Sequence, residues 1–570
     1  MSAARPPRIA LLVDHLESDY PAQIVTGVLR AARRARARTW IVPGGWLSRS
    51  QERSQVRNFI YERVAAADVD GFVLSGGSLS NFCGLEHFRA WLADFTKVPC
   101  VVLGLDAGTV PSVFVNNESG LQVAVSHLIE RHNRRKIAFI GGPPASTEAA
   151  ARLRAYRRAL GEHGISIDEN LILAGALGRE SGMAATIELF ERRRLQNVLD
   201  AIVAVNDDVA LGAIDELNRR GIGVPSAISV VGFDDSPGAR AANPPLTTVN
   251  QQVETQAYKA TCVLLEAIES SSKASSLQLQ SEAVIRASCG CAIGFQNDSA
   301  AVAPLKVLLA RTCRMALIER RAAITAELSR AAAGRMAGVS GWEGRLLDSV
   351  VQDLATPGGL TFVREFELLA RKHVAMGRDI FVCHDLLSAL RLQVIACVSV
   401  EPSARPRFED LFQEARLTLS RIGSDAERDR QESVALRFRI LSKACSELLG
   451  SAKLSELAKL LDEHLPALGI PAFALAFLRG ESARATPTLV ARRVTGIWQG
   501  LGQSHSASGL GLDPGLEQEE TLVLEPLDFN GVPLGIAALS WGAQETVHYE
   551  ILREMLSIAA FACHSTGKLP

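Results

Sequence analysis

The sequence predicts an α/β protein: a two-lobed doubly wound region over the first half, then an all-α region and a small α+β domain. Three observations predict it. Six short aliphatic runs alternate with amphipathic stretches from Arg8 to about Ser288. From about Ala300 to Glu447 glycine thins out and Leu/Ala/Arg periodicity takes over. From Leu454 the mixed pattern returns. A chain of 570 residues has room for three or four cores at ~150 residues each.

The aliphatic runs are IALLV from Ile9, GFVLSGG from Gly71, CVVLGL from Cys100, KIAFIGG from Lys136, AIVAVND from Ala201 and ISVVGFDD from Ile228. Continuous rather than alternating apolar residues suit strands of a parallel sheet covered on both faces. Between them Ala22–Arg38, Gly120–Arg131, Arg152–His163 and Val209–Arg220 carry helical periodicity, which makes repeated βαβ units. The span is too long for one small sheet and implies two lobes. Helices are then expected over Leu305–Leu328, Trp342–Leu354, Phe362–Met376, Ile380–Val398 and Phe408–Leu449, with breaks at TPGG from Thr356 and EPSARPR from Glu401. The last is long enough for a coiled-coil-like signalling helix. In the tail, a helix over Leu454–Leu465 precedes the strand AFALAFL from Ala472. A Gly/Ser-rich loop from His505 follows, then the strands TLVLEPL and LGIAALSW joined by an FNGVP turn, and a helix over Tyr549–Ala562. The domain bounds expected are 8–291, 300–400, 405–450 and 451–565.

Charge and composition narrow the function. With 61 basic against 62 acidic residues, the chain lacks the basic excess of a typical nucleic-acid binder. The longest nearly apolar run considered, Leu465–Leu478, is too short to span a bilayer and is broken by Pro466 and Pro471. No export signal is read before Ile9, so ten scattered cysteines suggest reduced thiols and a cytoplasmic location. There is no G-x-S-x-G, H-E-x-x-H or Walker loop, so an enzyme is not expected, nor is a cofactor or a metal.

The stretch AIVAVNDDVALGAIDELNRRGIGVPSAISVVGFDDSPGARAANPPLTTVNQ, Ala201–Gln251, carries an "ND-x-x-A-x-G" turn and a "P-x-x-I-S-V-V-G-F-D-D … P-P-L-T-T-V" segment. NNESGLQVAVSHLIERHNRRKIAFIGGP from Asn116 and ARLRAYRRAL from Ala151 precede it. In this order and spacing they resemble the ligand-binding core of the LacI/GalR regulators, whose fold is the two-lobed periplasmic-binding-protein-like type I domain. Three departures stand out: Asn116 replaces the usual Asp, His132-Asn133 replaces Gly-His, and Ala155 replaces Gly. The resemblance implies a sensor of small polar metabolites, sugars above all, and a homodimer. In that family a helix-turn-helix precedes the first strand. Here the strand begins at Ile9, so the expectation is a sensor without that headpiece. The tail from Leu522 resembles, more by pattern than by motif, the GAF-like domain that follows such sensors in multidomain signalling proteins. No GGDEF-type, kinase or terminal helix-turn-helix signature follows before Pro570, which leaves the output to a partner protein.

In an open α/β sheet, ligands sit beyond the carboxyl ends of the strands. Asn206 and Asp234 follow such strands, and Arg152 is expected at the start of the helix after KIAFIGG; the resemblance makes these three the far-lobe contacts. Their chemistry suits a polyhydroxylated ligand: an amide that donates and accepts, a carboxylate that accepts, a planar fork of donors. On the near lobe Asp14 follows the first strand, and Tyr20 stands where the family often stacks an aromatic on the ligand. Asn206 can instead be a helix cap and Tyr20 plain packing; Asp207 is assigned to capping. The SGGS turn, Ser75–Ser78, and Ser119 are weaker candidates.

Other motifs are read as structure. The run RAARRARAR from Arg30 is the solvated end of the first helix. Cys289 and Cys291 form a Cys-x-Cys for which no partner pair is evident, so they are loop thiols. His384 is an ordinary helix histidine. Two further functions stay open: a directly DNA-binding regulator, or a sensor subunit for a separate histidine kinase or diguanylate cyclase. A sensor fold that binds nothing and serves as a scaffold is a third.

Overall fold

The computed structural model describes residues 5–48, 53–195, 198–270, 275–291, 312–332, 336, 341–356, 358–376, 378, 380–398, 401–450, 454–478, 487–494, 497–499, 510, 516, 519–542 and 546–565. The chain divides into two compact units, residues 1–295 with 440–570, and residues 296–439. The Gly/Ser-rich loop from His505 lies almost wholly outside the described residues.

In the first unit the strands, in chain order, are β1 (Arg8–Val13), β2 (Arg38–Pro43), β3 (Gly71–Leu74), β4 (Cys100–Leu103), β5 (Ser112–Asn116), β6 (Ile137–Ile140), β7 (Ile172–Leu173), β8 (Ala201–Ala204), β9 (Ser229–Val231), β10 (Thr248–Asn250), β11 (Leu277–Gln280), β12 (Glu282–Val284), β13 (Phe473–Leu478), β14 (Pro487–Val494), β15 (Ile497–Gln499), β16 (Thr521–Phe529) and β17 (Val532–Ser540). Every aliphatic run named above becomes a strand whose described side chains are buried. Strands β2 and β5 were not anticipated. Arg36, in the left-handed region at φ 54°, ends the first helix inside the basic run, and Arg38 already belongs to β2.

Two sheets follow from this. One is a four-stranded parallel sheet in the order β7-β6-β8-β9. The other begins as a parallel sheet β11-β5-β4-β3-β1-β2 and then continues through β16-β17-β13-β14-β15. Strand β16 pairs in parallel with β2, Leu522 opposite Trp40 and Val523 opposite Ile41, and the last five strands are mutually antiparallel. The tail therefore does not stand apart from the first lobe: it extends its sheet. Both faces are continuous cores. Leu11, Val13 and Ile41 share one with Phe473, Val523 and Leu556, and Leu12, Trp40 and Val42 share the other with Leu522, Leu524 and Ile536.

Three chain crossings connect the two parallel sheets: after β5, after β10 and between β11 and β12. Side chains tie them together. Ser281 Oγ donates to Asn116 O at 2.6 Å and accepts from Gly120 N at 3.0 Å, and Gln252 Nε2 donates to Gln280 O at 3.0 Å.

The second unit is helical: Cys313–Glu319, Arg321–Ala332, Trp342–Ala355, Thr361–Ala375, Phe381–Val398 and the start of Arg405–Gly450. Phe362, Phe366, Leu386, Leu390, Phe408 and Phe412 form its core. The long predicted helix begins earlier than expected, because Pro402 opens a 3-10 turn and Pro406 falls in the first turn, where its missing N–H costs nothing. Phe381–Val398 is long and apolar enough to cross a membrane, which the reading of Leu465–Leu478 as the longest apolar run passed over; its inner face packs into the helical core.

Candidate functional site

The carboxyl ends of both parallel sheets carry the chemistry. Asp14 directly follows β1, and its buried Oδ1 accepts a hydrogen bond from Ser78 Oγ at 2.8 Å. Ser78 lies on the short helix Gly76–Leu79, and Ser75 Oγ stands 2.9 Å from it. His15 Nδ1 is 2.7 Å from Asp14 Oδ2. Burial alone would depress the imidazole, but the carboxylate outweighs it and holds the His15 pKa at about 9. Burial likewise acts to raise Asp14, and the His15 charge with the hydrogen bonds brings it below the usual carboxylate range.

On the other side, Arg152 is the sixth residue of the helix Thr147–Glu162, one and a half turns in rather than at its start, because Ser146 caps that helix on Ala149 N. Its guanidinium is buried and fully oriented. Nε donates to Asn117 Oδ1 at 3.1 Å, Nη1 to Val205 O at 2.8 Å, and the plane lies 3.8 Å from the centre of the Phe233 ring. Asp234 Oδ1 is 3.9 Å from Arg152 Nη1 and accepts from Gln251 Nε2 at 2.5 Å. Asp234 takes φ 125°, in the left-handed region that disfavours a side chain, so the FDD turn holds strain where the motif residue projects.

Glu148 closes the set. Asn117 Nδ2 donates to its Oε1 at 3.4 Å, and its carboxylate lies against Gly77 of the near lobe, where a Cβ would come within 3.0 Å. Burial raises the Glu148 and Asp234 pKa values; Arg152 opposes this in both, and like charges on Asp207, Asp208 and Glu148 add to it in Asp234. Tyr20 belongs to this cleft: burial raises its phenol, and Glu148, Asp234, Arg152 and Asp14 are the charges it feels, from both lobes.

Asp14, Tyr20, Arg152 and Asp234 thus converge. Asn206 sits at the same rim, but its side chain is committed: Oδ1 accepts from Val209 N at 2.9 Å and Nδ2 donates to Leu177 O at 2.9 Å. It is the cap of the helix Asp207–Arg219. Asp207, assigned to that role from the sequence, instead accepts from Thr248 Oγ1 at 2.5 Å and Ser236 N at 2.8 Å, tying β10 to the turn after β9. Ser119 bonds at the crossing to Ser281, 3.2 Å away.

Asn117, Glu148, His15 and Gln251 went unread in the sequence. Trp46 did too: it follows β2, the strand hidden behind the basic run, and its ring packs 5.7 Å from His15 and 5.4 Å from Phe82. A separate open pocket, lined by Asp68, Asp70, Cys100 and Ser276 among others, lies at the amino ends of β3 and β4, the opposite end from these groups.

Residues 125–289 match the family described as a periplasmic binding protein-like domain. That match lies almost wholly within the first half of the chain, and the relatives below are transcriptional regulators by description. Across 208 residues the chain is 31% identical to the HTH-type transcriptional repressor PurR of Vibrio atlanticus (strain LGP32), covering 36% of this chain and 60% of that protein. It is 37% identical over 166 residues to the HTH-type transcriptional regulator CelR of Thermobifida fusca, covering 29% and 48%. A solved transcriptional regulator CelR–cellobiose complex shares 30% identity over 50% of this chain and 86% of that one, with a TM-score of 0.42. The chain spans about half to three fifths of the length of these two repressor and regulator sequences. The similarity is to regulators, not to enzymes.

Proposed function

We infer that the chain is a cytoplasmic regulator whose sensor domain closes on a small polar metabolite, sugar-like in chemistry, and whose output passes through the helical region and the tail to a partner protein that controls transcription. The observation that carries this reading is the convergence of Asp14, Ser78, Asn117, Glu148, Arg152 and Asp234 on one cleft between two sheets joined by three crossings. Acceptor-rich walls with one oriented guanidinium fit a ligand with many hydroxyls, and Tyr20 and Trp46 offer faces to a sugar ring. Ligand donors would replace the missing counter-charge of the buried carboxylates and so favour the closed state over the open one.

A route to the output is supported by the sheet. Since β16 pairs with β2, movement of the first lobe carries the tail with it. We assign the tail, GAF-like in pattern, the part of a transmitter, and the protein works as a homodimer. Direct DNA binding is the alternative, and a gel shift whose affinity falls steeply with salt would favour it. A thermal-shift screen with neutral and amino sugars tests the sensor reading: a hit raises the melting temperature, and Asp234→Ala abolishes the rise. No hit, or an undiminished rise in the variant, contradicts it.

A further inference from the structure

At the far end of the helix Ser119–His132, two histidines meet the Cys-Gly-Cys segment that leaves the sensor domain. His132 Nε2 is 3.3 Å from His127 Nε2, and Cys291 Sγ is 3.4 Å from each of these nitrogens. Cys289 Sγ is 3.6 Å from His127 Nε2, and all four donor atoms lie within 4.8 Å of one another. The pair of partners that the Cys-x-Cys lacked in the sequence is therefore supplied by the fold, from more than 150 residues earlier in the chain.

Hydrogen bonding does not account for this packing. His127 Nε2 faces three groups at once, yet one ring nitrogen carries at most one proton or one lone pair. Four of the six donor separations, 3.3, 3.4, 3.4 and 3.6 Å, instead come close to the edges of a metal-centred tetrahedron. With zinc–nitrogen and zinc–sulfur bonds of about 2.05 and 2.3 Å, edges of about 3.3 Å between nitrogens and about 3.6 Å from nitrogen to sulfur are required. The local backbone is shaped for the approach. Gly290, at φ 117°, turns both thiols to the same side, and a Cβ on it would stand 2.8 Å from His132 Nδ1. Behind the thiols, Ser229 Oγ donates to Cys289 O at 2.8 Å and accepts from Arg134 Nε at 3.0 Å, which fixes the turn.

We propose that His127, His132, Cys289 and Cys291 bind one zinc ion, a closed Cys2His2 site that clips the exit of the sensor domain to the helix arising from its crossing. Two thiolates and two neutral imidazoles leave the site without net charge. Loading releases the two thiol protons to solvent, including the one Cys289 Sγ shares with Arg286 O at 3.1 Å.

The test uses the full chain, purified under reducing conditions. Elemental analysis should give one zinc per chain, and cobalt substitution should give the intense visible bands and thiolate charge-transfer absorption of a tetrahedral S2N2 centre. Cys289→Ser with Cys291→Ser should abolish both. His132→Gly restores the residue of the family pattern at a helix end. It should keep the circular dichroism spectrum of the parent and weaken cobalt binding at least tenfold. Alkylation of Cys291 should be slow until a chelator is added. A chain without zinc that also fails to bind added cobalt overturns the proposal. So does retention of metal in the double variant, or a Cys289–Cys291 disulfide under reducing conditions.

Discussion

Glu550, in the helix Val547–Ser565, accepts a hydrogen bond from the backbone N–H of Leu16 at 3.3 Å. Leu16 stands two residues beyond Asp14, so the tail grips the loop that carries the near-lobe carboxylate. The Glu550 carboxylate is also 3.5 Å from the half-buried Arg57 and 2.8 Å from the buried Arg553. With the β2–β16 pairing, this is a second physical link between cleft and tail.

Replacing Glu550 with Ala removes that grip and leaves the buried Arg553 with Asp528 and Glu554, each 3.5 Å away. The expected cost is about 2–3 kcal/mol of stability. Hydrogen exchange should rise at residues 14–20, ahead of the rest of the first lobe. Uniform exchange across the lobe would mean the contact carries no local coupling.

Stability should vary with pH through His15. Its folded pKa of about 9 exceeds the unfolded value near 6.5. The Asp14–His15 pair therefore contributes fully below pH 6.5, and its contribution is lost as pH rises through 9. The loss is on the order of 3 kcal/mol. His15→Gln should flatten the melting profile between pH 6.5 and 9.

Glu525 in β16 is buried, and among the described residues neither carboxylate oxygen has a hydrogen-bond partner. Burial, with Glu550 adding to it, holds its pKa well above the ordinary value. A raised folded pKa favours the fold at low pH and costs stability as pH rises through it. Glu525→Gln should hold its melting temperature better than the parent as pH is raised from 5 to 8.

Gly212 packs so closely that a Cβ would lie 1.9 Å from Arg179 O, and one on Gly182 would lie 2.0 Å from Val209 O. The helices Arg179–Ile187 and Asp207–Arg219 touch backbone to backbone. Gly212→Ala should cost about 3 kcal/mol, measured by chemical denaturation, since rigid carbonyls rather than flexible side chains must give way.

This last contact also explains what the sequence could and could not convey. The glycine of the "ND-x-x-A-x-G" turn was visible as a motif, and its cause is helix packing. The aliphatic runs gave their strands because a doubly covered sheet demands continuous apolar residues. Strand β2 was masked by the arginines that end the helix before it, and Trp46 was lost with it. The pairing of β16 with β2 joins residues some 480 apart through backbone groups alone, which no side-chain periodicity records. Asp14, Tyr20, Arg152 and Asp234 were named as candidates by type and position. Glu148 and Asn117 were not, since they reach the cleft by facing across it from the opposite lobe.

The central claim is best tested by titration calorimetry of the full chain with a sugar that raises its melting temperature. The account predicts one site with measurable heat in the parent, and a loss of at least a hundredfold in affinity in both Arg152→Ala and Asp234→Ala, each with a parental circular dichroism spectrum. Equal affinity in parent and both variants would place the ligand elsewhere and contradict the account.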